Sequence, residues 1–161
     1  MIKLLFLLIA VSFLSACSHT YYIVRHAEKE TPSGNMSNDV PLSDKGKARA
    51  EALKELMKDK SIKAIYSTKT QRTQNTAKPT AEYFNIEILP YGPSPDSAFI
   101  ATMKALRKNV LIVGHSNTVD DIVNGIGRNK YVPGDLPDSA YSNLFILKVR
   151  NGRVRFLRLN F

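Results

Sequence analysis

The chain has 161 residues, 43% of them apolar and 23% charged, which suits one globular domain able to bury about two-thirds of its unfolded surface. Its formal net charge of +9 comes from Lys and Arg scattered along the chain, with no block or stripe of the kind that tracks nucleic acid. The single cysteine excludes an internal disulfide framework, and three dispersed histidines, His19, His26 and His115, without a clustered carboxylate make a poor zinc set, so no metal or other cofactor is expected.

The first segment reads as a targeting signal. Met1, Ile2 and Lys3 form a short positive start, Leu4 to Leu14 is an apolar run too short for a good membrane span, and the small Ser15 and Ala16 precede Cys17. Leu14-Ser15-Ala16-Cys17 resembles the bacterial lipobox, which implies cleavage before Cys17 and acylation of that cysteine. Residues 1–16 are then a lipoprotein signal peptide and 17–161 the folded domain, anchored in the bacterial cell envelope. Several acyl chains on one cysteine would hold it stably, where one chain alone is marginal. A plain secretory signal or a buried N-terminal helix are the other readings of this stretch.

Strand and helix patterns alternate after Cys17. Tyr21 to Val24 is a continuous apolar run, as expected of a strand covered on both faces, and it stops at Arg25-His26. A cation beside an imidazole at the end of a buried strand suits the capture of a phosphate and attack on it. A polar loop follows from about Lys29 to Val40, broken by Pro32, Gly34 and Asn35. Ser43 can cap a helix whose apolar face is Ala48, Ala52, Leu53, Leu56 and Met57, with Gly46 tolerable near its start. Ala64 to Tyr66 makes a second strand ending at Ser67, and a helix from about Thr70 to Phe84 is expected to kink or weaken at Pro79. Ile86, Ile88 and Leu89 read as a third strand, closed by Pro90. Ser94-Pro95 is a good helix start, with Phe99, Met103 and Leu106 as its stripe. Val110 to Val113 is the most apolar strand, terminated by Gly114-His115-Ser116-Asn117, and a helix follows over Thr118 to Ile126, ending at Gly127. Leu144 to Val149 and Val154 to Leu159 flank Asn151-Gly152, a strong hairpin signal.

This alternation implies a three-layer α/β/α sandwich with a mostly parallel central sheet and a C-terminal antiparallel hairpin. In such sheets ligands gather beyond the carboxyl ends of the strands. Arg25 and His26 follow the first strand, Ser67 to Arg72 the second and His115 the fourth, so these segments are expected to converge.

Arg25-His26-Ala27-Glu28, then Ser67-Thr68-Lys69-Thr70-Gln71-Arg72-Thr73 with Thr76-Ala77, then Gly114-His115, resemble the histidine phosphatase superfamily, also called phosphoglycerate-mutase-like. The resemblance covers nearly the whole mature chain. It implies that His26 is the nucleophile, that Arg25 and Arg72 clamp phosphoryl oxygens, and that His115 donates to the same oxygens. The implied product of attack is a phosphohistidine that water hydrolyses, with no metal required. A neutral imidazole is available for attack near neutral pH. Ala27 and Pro32 stand where many mutase members carry Gly and Asn, which favours a small phosphatase over a mutase. Ser116, where the acid phosphatase branch carries Asp, fits that branch poorly.

Leaving-group protonation calls for a carboxyl held protonated. In the mutase-like branch it comes between the third strand and the next helix, where Asp96 is the acidic residue; the alternative for Asp96 is a first-turn charge favoured by the helix dipole. Glu87 is a lesser candidate, and Asp120 and Asp121 read as solvated helix residues. Without an acid, the substrate needs a good leaving group, as in phosphohistidine or an acyl phosphate. Glu28 either accepts a hydrogen bond from the pocket or faces solvent, and His19 reads as structural. Other phosphatase chemistries do not fit: Cys17 has Ile23, not Arg, six residues on, and the chain holds no Asp-x-Asp after a strand and no Walker loop. The expected partners are a small phosphorylated substrate or phosphoprotein and, through Cys17, a membrane. The competing readings are a module that binds phosphate or a phosphoglycan without turnover, and an envelope lipoprotein with a vestigial site.

Overall fold

The computed structural model describes residues 18–31 and 39–161. The signal segment with Cys17, and Pro32 in the first loop, lie outside the described residues. The elements in chain order are β1 (Ser18–Arg25), α1 (Asp44–Met57), β2 (Ala64–Ser67), α2 (Gln71–Phe84), β3 (Ile88–Pro90), α3 (Ser97–Leu106), β4 (Val110–Gly114), α4 (Val119–Gly127), β5 (Asn143–Arg150) and β6 (Arg153–Asn160). The strands form one six-stranded sheet in the order β3-β2-β4-β1-β5-β6. From β3 to β1 all pairings are parallel; β5 runs antiparallel to β1 and β6 antiparallel to β5. The expected sandwich and hairpin are the observed architecture.

The alternation of side chains on β1 explains the layers. Tyr21 and Ile23 point into a core with Met103 of α3 and Ile122 and Val123 of α4, while Tyr22 and Val24 point into one with Leu53 and Met57 of α1 and Ala77 and Ala81 of α2. Both faces of β1 are covered, so its run is apolar throughout. Each such aliphatic side chain contributes about 1.5–3 kcal/mol by leaving water. Both cores and every element of the described residues lie within residues 18–161, so a chain begun at Ser18 retains all of them.

Several boundaries differ from the sequence expectation, each for a visible reason. β1 begins at Ser18 because its antiparallel partner extends the pairing to Ser18↔Arg150 and His19↔Val149. Ile86 is no part of β3: Asn85 takes a left-handed cap (φ 52°) and the Ile86 N–H returns to the Ala81 carbonyl at 3.0 Å, closing α2. α2 runs uninterrupted through Pro79. α3 starts after Asp96 rather than at Ser94, because the Asp96 carboxylate accepts from the Phe99 N–H at 2.7 Å. The hairpin turn holds Asn151 and Gly152 at φ 50° and 77°, the left-handed pair that a two-residue turn requires.

The buried face of α1 is also corrected. Gly46, Ala50, Leu53 and Met57 face inward, while Ala48, Ala52 and Leu56 are exposed. Gly46 sets that rotation: a Cβ there would lie 2.0 Å from the Glu28 carbonyl oxygen, so only glycine lets the first turn rest on that backbone. Glu28 neither serves the pocket nor faces solvent freely. Its two carboxylate oxygens accept from Arg49 Nε and Nη2, both at 2.7 Å, and Arg49 Nη1 donates to the Phe161 carbonyl. Asp120, expected in solvent, is buried, and among the described residues its Oδ1 has no hydrogen-bond partner. Burial, with Asp121 adding, raises its pKa above the ordinary carboxyl value.

Candidate active site

β1 and β4 end side by side, with Arg25 opposite Gly114, so Arg25-His26 and His115 leave the sheet at adjacent strand ends. The His26 N–H donates to the Gly114 carbonyl at 2.8 Å, which carries the pairing one step beyond the strand. β2 lies on the other side of β4, and the first turn of α2 after it delivers Arg72. Arg25, His26, Arg72 and His115 are thus brought together from three strand ends. The two imidazole centroids are 5.5 Å apart, and Arg72 Nη2 lies 3.5 Å from His115 Nδ1.

The tautomer of His26 follows from its neighbour. Nδ1 is 2.8 Å from the Ala27 carbonyl oxygen, which can only accept, so Nδ1 carries the hydrogen and Nε2 the lone pair. Burial pushes the His26 pKa down to about 3; the Ala27 bond opposes this, and the charges of Arg25, His115 and Arg72 add to it. His115 is pushed down to about 4, first by burial and then by Arg72 and Arg25. Its Nε2 lies 2.8 Å from Thr68 Oγ1, and Thr118 Oγ1 accepts from its backbone N–H at 2.9 Å. Both rings are therefore neutral near pH 7, beside the cations of Arg25 and Arg72, which have Asp138 Oδ1 at 3.4 Å and Asp39 Oδ1 at 3.7 Å respectively.

Arg25 is buried. Its Nη1 donates to the carbonyls of Pro137 and Asp138 at 2.9 and 3.0 Å, and its guanidinium sits 4.3 Å from the centroid of the Tyr141 ring. Nε is buried with no partner among the described residues. A charged donor left unpaired inside a protein is costly, and a phosphoryl oxygen satisfies it. Beside His115 opens a cavity of about 610 Å³, walled by Thr68, Lys69, Thr70, Pro90, Tyr91, Gly92 and Pro93. None of these carries a carboxyl group.

A family model described as the histidine phosphatase superfamily (branch 1) matches residues 21–91. Solved structures align over most of their length. A candidate phosphohistidine phosphatase SixA from Agrobacterium tumefaciens is 21% identical, with a TM-score of 0.68 over 88% of this chain and 98% of that one. The protein histidine phosphatase SixA complexed with tungstate is 20% identical, with a TM-score of 0.66 over 88% and 96%. Residues 21–91 therefore match the histidine phosphatase superfamily, and the fold of the chain is the one these solved structures share. A mycobacterial glucosyl-3-phosphoglycerate phosphatase is also similar in fold, at 13% identity and a TM-score of 0.58 over 89% and 98%. A search of curated proteins finds no match.

Asp96 was expected as either an acid or a first-turn charge. Asp96 is exposed and spends a carboxylate oxygen on the α3 cap, and it does not line the cavity beside His115. The first-turn reading of Asp96 is the one its geometry follows. Glu87 precedes β3, at the opposite end of that strand from the site. Sequence reasoning assigned no role to Thr68, which binds His115, or to Thr76, whose Oγ1 accepts from the Ala27 N–H at 2.9 Å and holds the loop that follows His26. Both lie inside the family motif, so a signal existed. Tyr141 and the Pro137 and Asp138 carbonyls meet Arg25 only through tertiary packing.

Proposed function

We propose that the protein is an exported, membrane-anchored phosphatase that works without a metal ion through a phospho-His26 intermediate. The observation that carries this reading is the Nδ1–H of His26 held on the Ala27 carbonyl, which leaves Nε2 as an unprotonated nucleophile among Arg25, Arg72 and His115. In the first step Nε2 bonds to phosphorus as the bond to the leaving group breaks, with Arg25 and Arg72 holding the equatorial oxygens. The Ala27 carbonyl stabilises the positive charge that the ring gains. A water then adds to phosphorus, the P–N bond breaks, and its electron pair returns to Nε2 with release of phosphate. The imidazole of His115 donates to the phosphoryl group, whose negative charge raises its pKa on binding.

The carboxyl-free wall beside His115 supports a substrate whose leaving group departs without a protein acid: phosphohistidine or an acyl phosphate rather than an alkyl phosphomonoester. Such a proton donor is worth about 10²–10⁴-fold in rate where a poor leaving group needs one. The test compares kcat/KM for a phosphohistidine peptide, acetyl phosphate and glycerol phosphate, with Asp96→Asn beside the wild type. Asn is as good a helix cap as Asp, so the substitution separates acid catalysis from folding. The expected result is turnover of the first two, glycerol phosphate slower by at least about 100-fold, and Asp96→Asn within about twofold of wild type. Equal turnover of glycerol phosphate, lost in Asp96→Asn, would restore Asp96 as the general acid. Tight phosphate binding with no turnover of any ester would favour the binding module instead.

The lipobox-like Leu14-Ser15-Ala16-Cys17 supports the envelope location, with Cys17 as the acylated residue. Substrates are then phosphorylated groups outside the cytoplasm.

A further inference from the structure

The parallel strands have a second end, and it is built differently. At the opposite end of β1 from Arg25, roughly 20 Å away by strand rise, His19 borders a cavity of about 400 Å³ closed by Lys104 and Arg107 at the end of α3, Arg128 at the end of α4, and the Asn151-Gly152 turn. Among the described residues no carboxylate pairs with Lys104, Arg107 or Arg128.

Cations at helix C-termini are stabilised by the helix dipole, which accounts for each arginine separately. It does not account for their convergence on one cavity. Nor does it account for their backbones: Arg107 and Arg128 cap their helices at φ 46° and 55°, left-handed positions that favour glycine or asparagine. His19 supplies an independent sign. The Tyr21 hydroxyl donates to the Met103 carbonyl at 2.7 Å, so the 3.1 Å contact between His19 Nε2 and that hydroxyl has the ring as donor. In the neutral ring Nδ1 then carries the lone pair, buried without a partner among the described residues on a residue only 9% exposed, and it becomes a donor when the ring takes up a proton, which a bound anion favours. Arg107 adds to burial in lowering the His19 pKa, and Arg128 adds to burial in lowering that of Lys104, as expected where positive charges crowd without a counter-ion.

We propose that this cavity is a second anion site, taking the phosphate of an anionic phospholipid headgroup and seating this end of the domain on the bilayer. Guanidinium forks match phosphate oxygens bidentately, and a volume of about 400 Å³ is ample for a glycerophosphate. The cavity's affinity for phosphate does not depend on lipidation, but the choice of a lipid as its source rests on the proposed acylation of Cys17, one residue before β1. The catalytic pocket, at the other end of the same strands, then faces away from the membrane.

The test uses protein begun at Ser18, which has no acyl chain to confuse the readout, in co-sedimentation with vesicles of phosphatidylglycerol or of phosphatidylcholine. Phosphatidylglycerol vesicles should be bound and phosphatidylcholine vesicles not. Arg107→Gln with Arg128→Gln should weaken that binding by about tenfold or more, with phosphatase turnover unchanged. As a control, Lys47→Gln with Lys78→Gln removes the same charge from α1 and α2. An equal loss in the control would overturn the proposal in favour of diffuse charge. Glycerol phosphate should also move the His19 ring resonances in the wild type and not in the arginine pair. That shift without vesicle binding would support the anion site and overturn its lipid source; neither shift nor vesicle preference would overturn both. Acylation of Cys17 is read separately by mass, so a failure there is distinct from a failure here.

Discussion

At the level of single residues, the site works by keeping two imidazoles neutral beside two fixed cations. Because burial holds His26 near 3 and His115 near 4, neither ring in the free protein protonates in the usual histidine range. Histidine NMR titration should therefore find both midpoints well below 6.5, and a His26 midpoint at or above 6.5 would contradict the assignment. The sign for stability follows. The unfolded chain takes up these protons first as pH falls, so the stability from burying both rings is complete above about 6.5 and is lost as pH drops toward 3–4. Glu28, held at about 2 chiefly by Arg49, acts in the same direction: its contribution is complete above 4.5 and is lost as pH approaches 2. Acid denaturation should accordingly steepen below about pH 6 and be blunted in Glu28→Gln. Arg25, His26 and His115 were legible because each stands at the end of an apolar run that reads as a strand, and Arg72 because it opens the helix after the second such run. Asp96 was left between two readings, since a carboxylate at a helix start looks alike in sequence whether it caps or catalyses, and its bond to the Phe99 N–H follows the cap.

Among the elements, α1 carries the most stringent packing requirement. Its periodicity suggested a face of Ala48, Ala52, Leu53, Leu56 and Met57, of which Leu53 and Met57 are buried, yet the helix turns on the contact of Gly46 with the Glu28 backbone, which composition alone does not reveal. Gly46→Ala should destabilise the fold by about 2–4 kcal/mol even though alanine is the better helix former, because the obstructing atom is backbone and cannot swing away. A chemical-denaturation midpoint equal to wild type would contradict the packing. Arg49→Ala should cost on the order of 1–3 kcal/mol, since it strands the part-buried Glu28 carboxylate and frees the Phe161 carbonyl. Elements closed by local chemistry, such as the Asn151-Gly152 hairpin, were readable from sequence to within a residue or two. The start of β1 was not, because Ser18 to Thr20 become strand only through their pairing with β5.

Across the whole molecule the two ends of the sheet gather different side chains. Arg25, His26, Arg72 and His115 gather where β1, β2 and β4 finish, and His19, Lys104, Arg107 and Arg128 gather where β1 starts and α3 and α4 end. Alternating strands and helices made the layers and the first gathering foreseeable; the second depends on which helix ends meet, which no linear pattern records. If Cys17 is acylated, the mature protein should partition into membranes and show the mass of a lipid-modified N-terminal cysteine. Cys17→Ala should abolish both, and an unmodified N-terminus in the wild type would remove the anchor from the account. The central claim is covalent catalysis by His26, and rapid quenching with a ³²P-labelled substrate tests it most directly. The expected result is label on the wild-type protein that is acid-labile, stable to base and absent from His26→Ala, which also loses turnover. Undiminished turnover by His26→Ala, or label that persists in it, would contradict the mechanism.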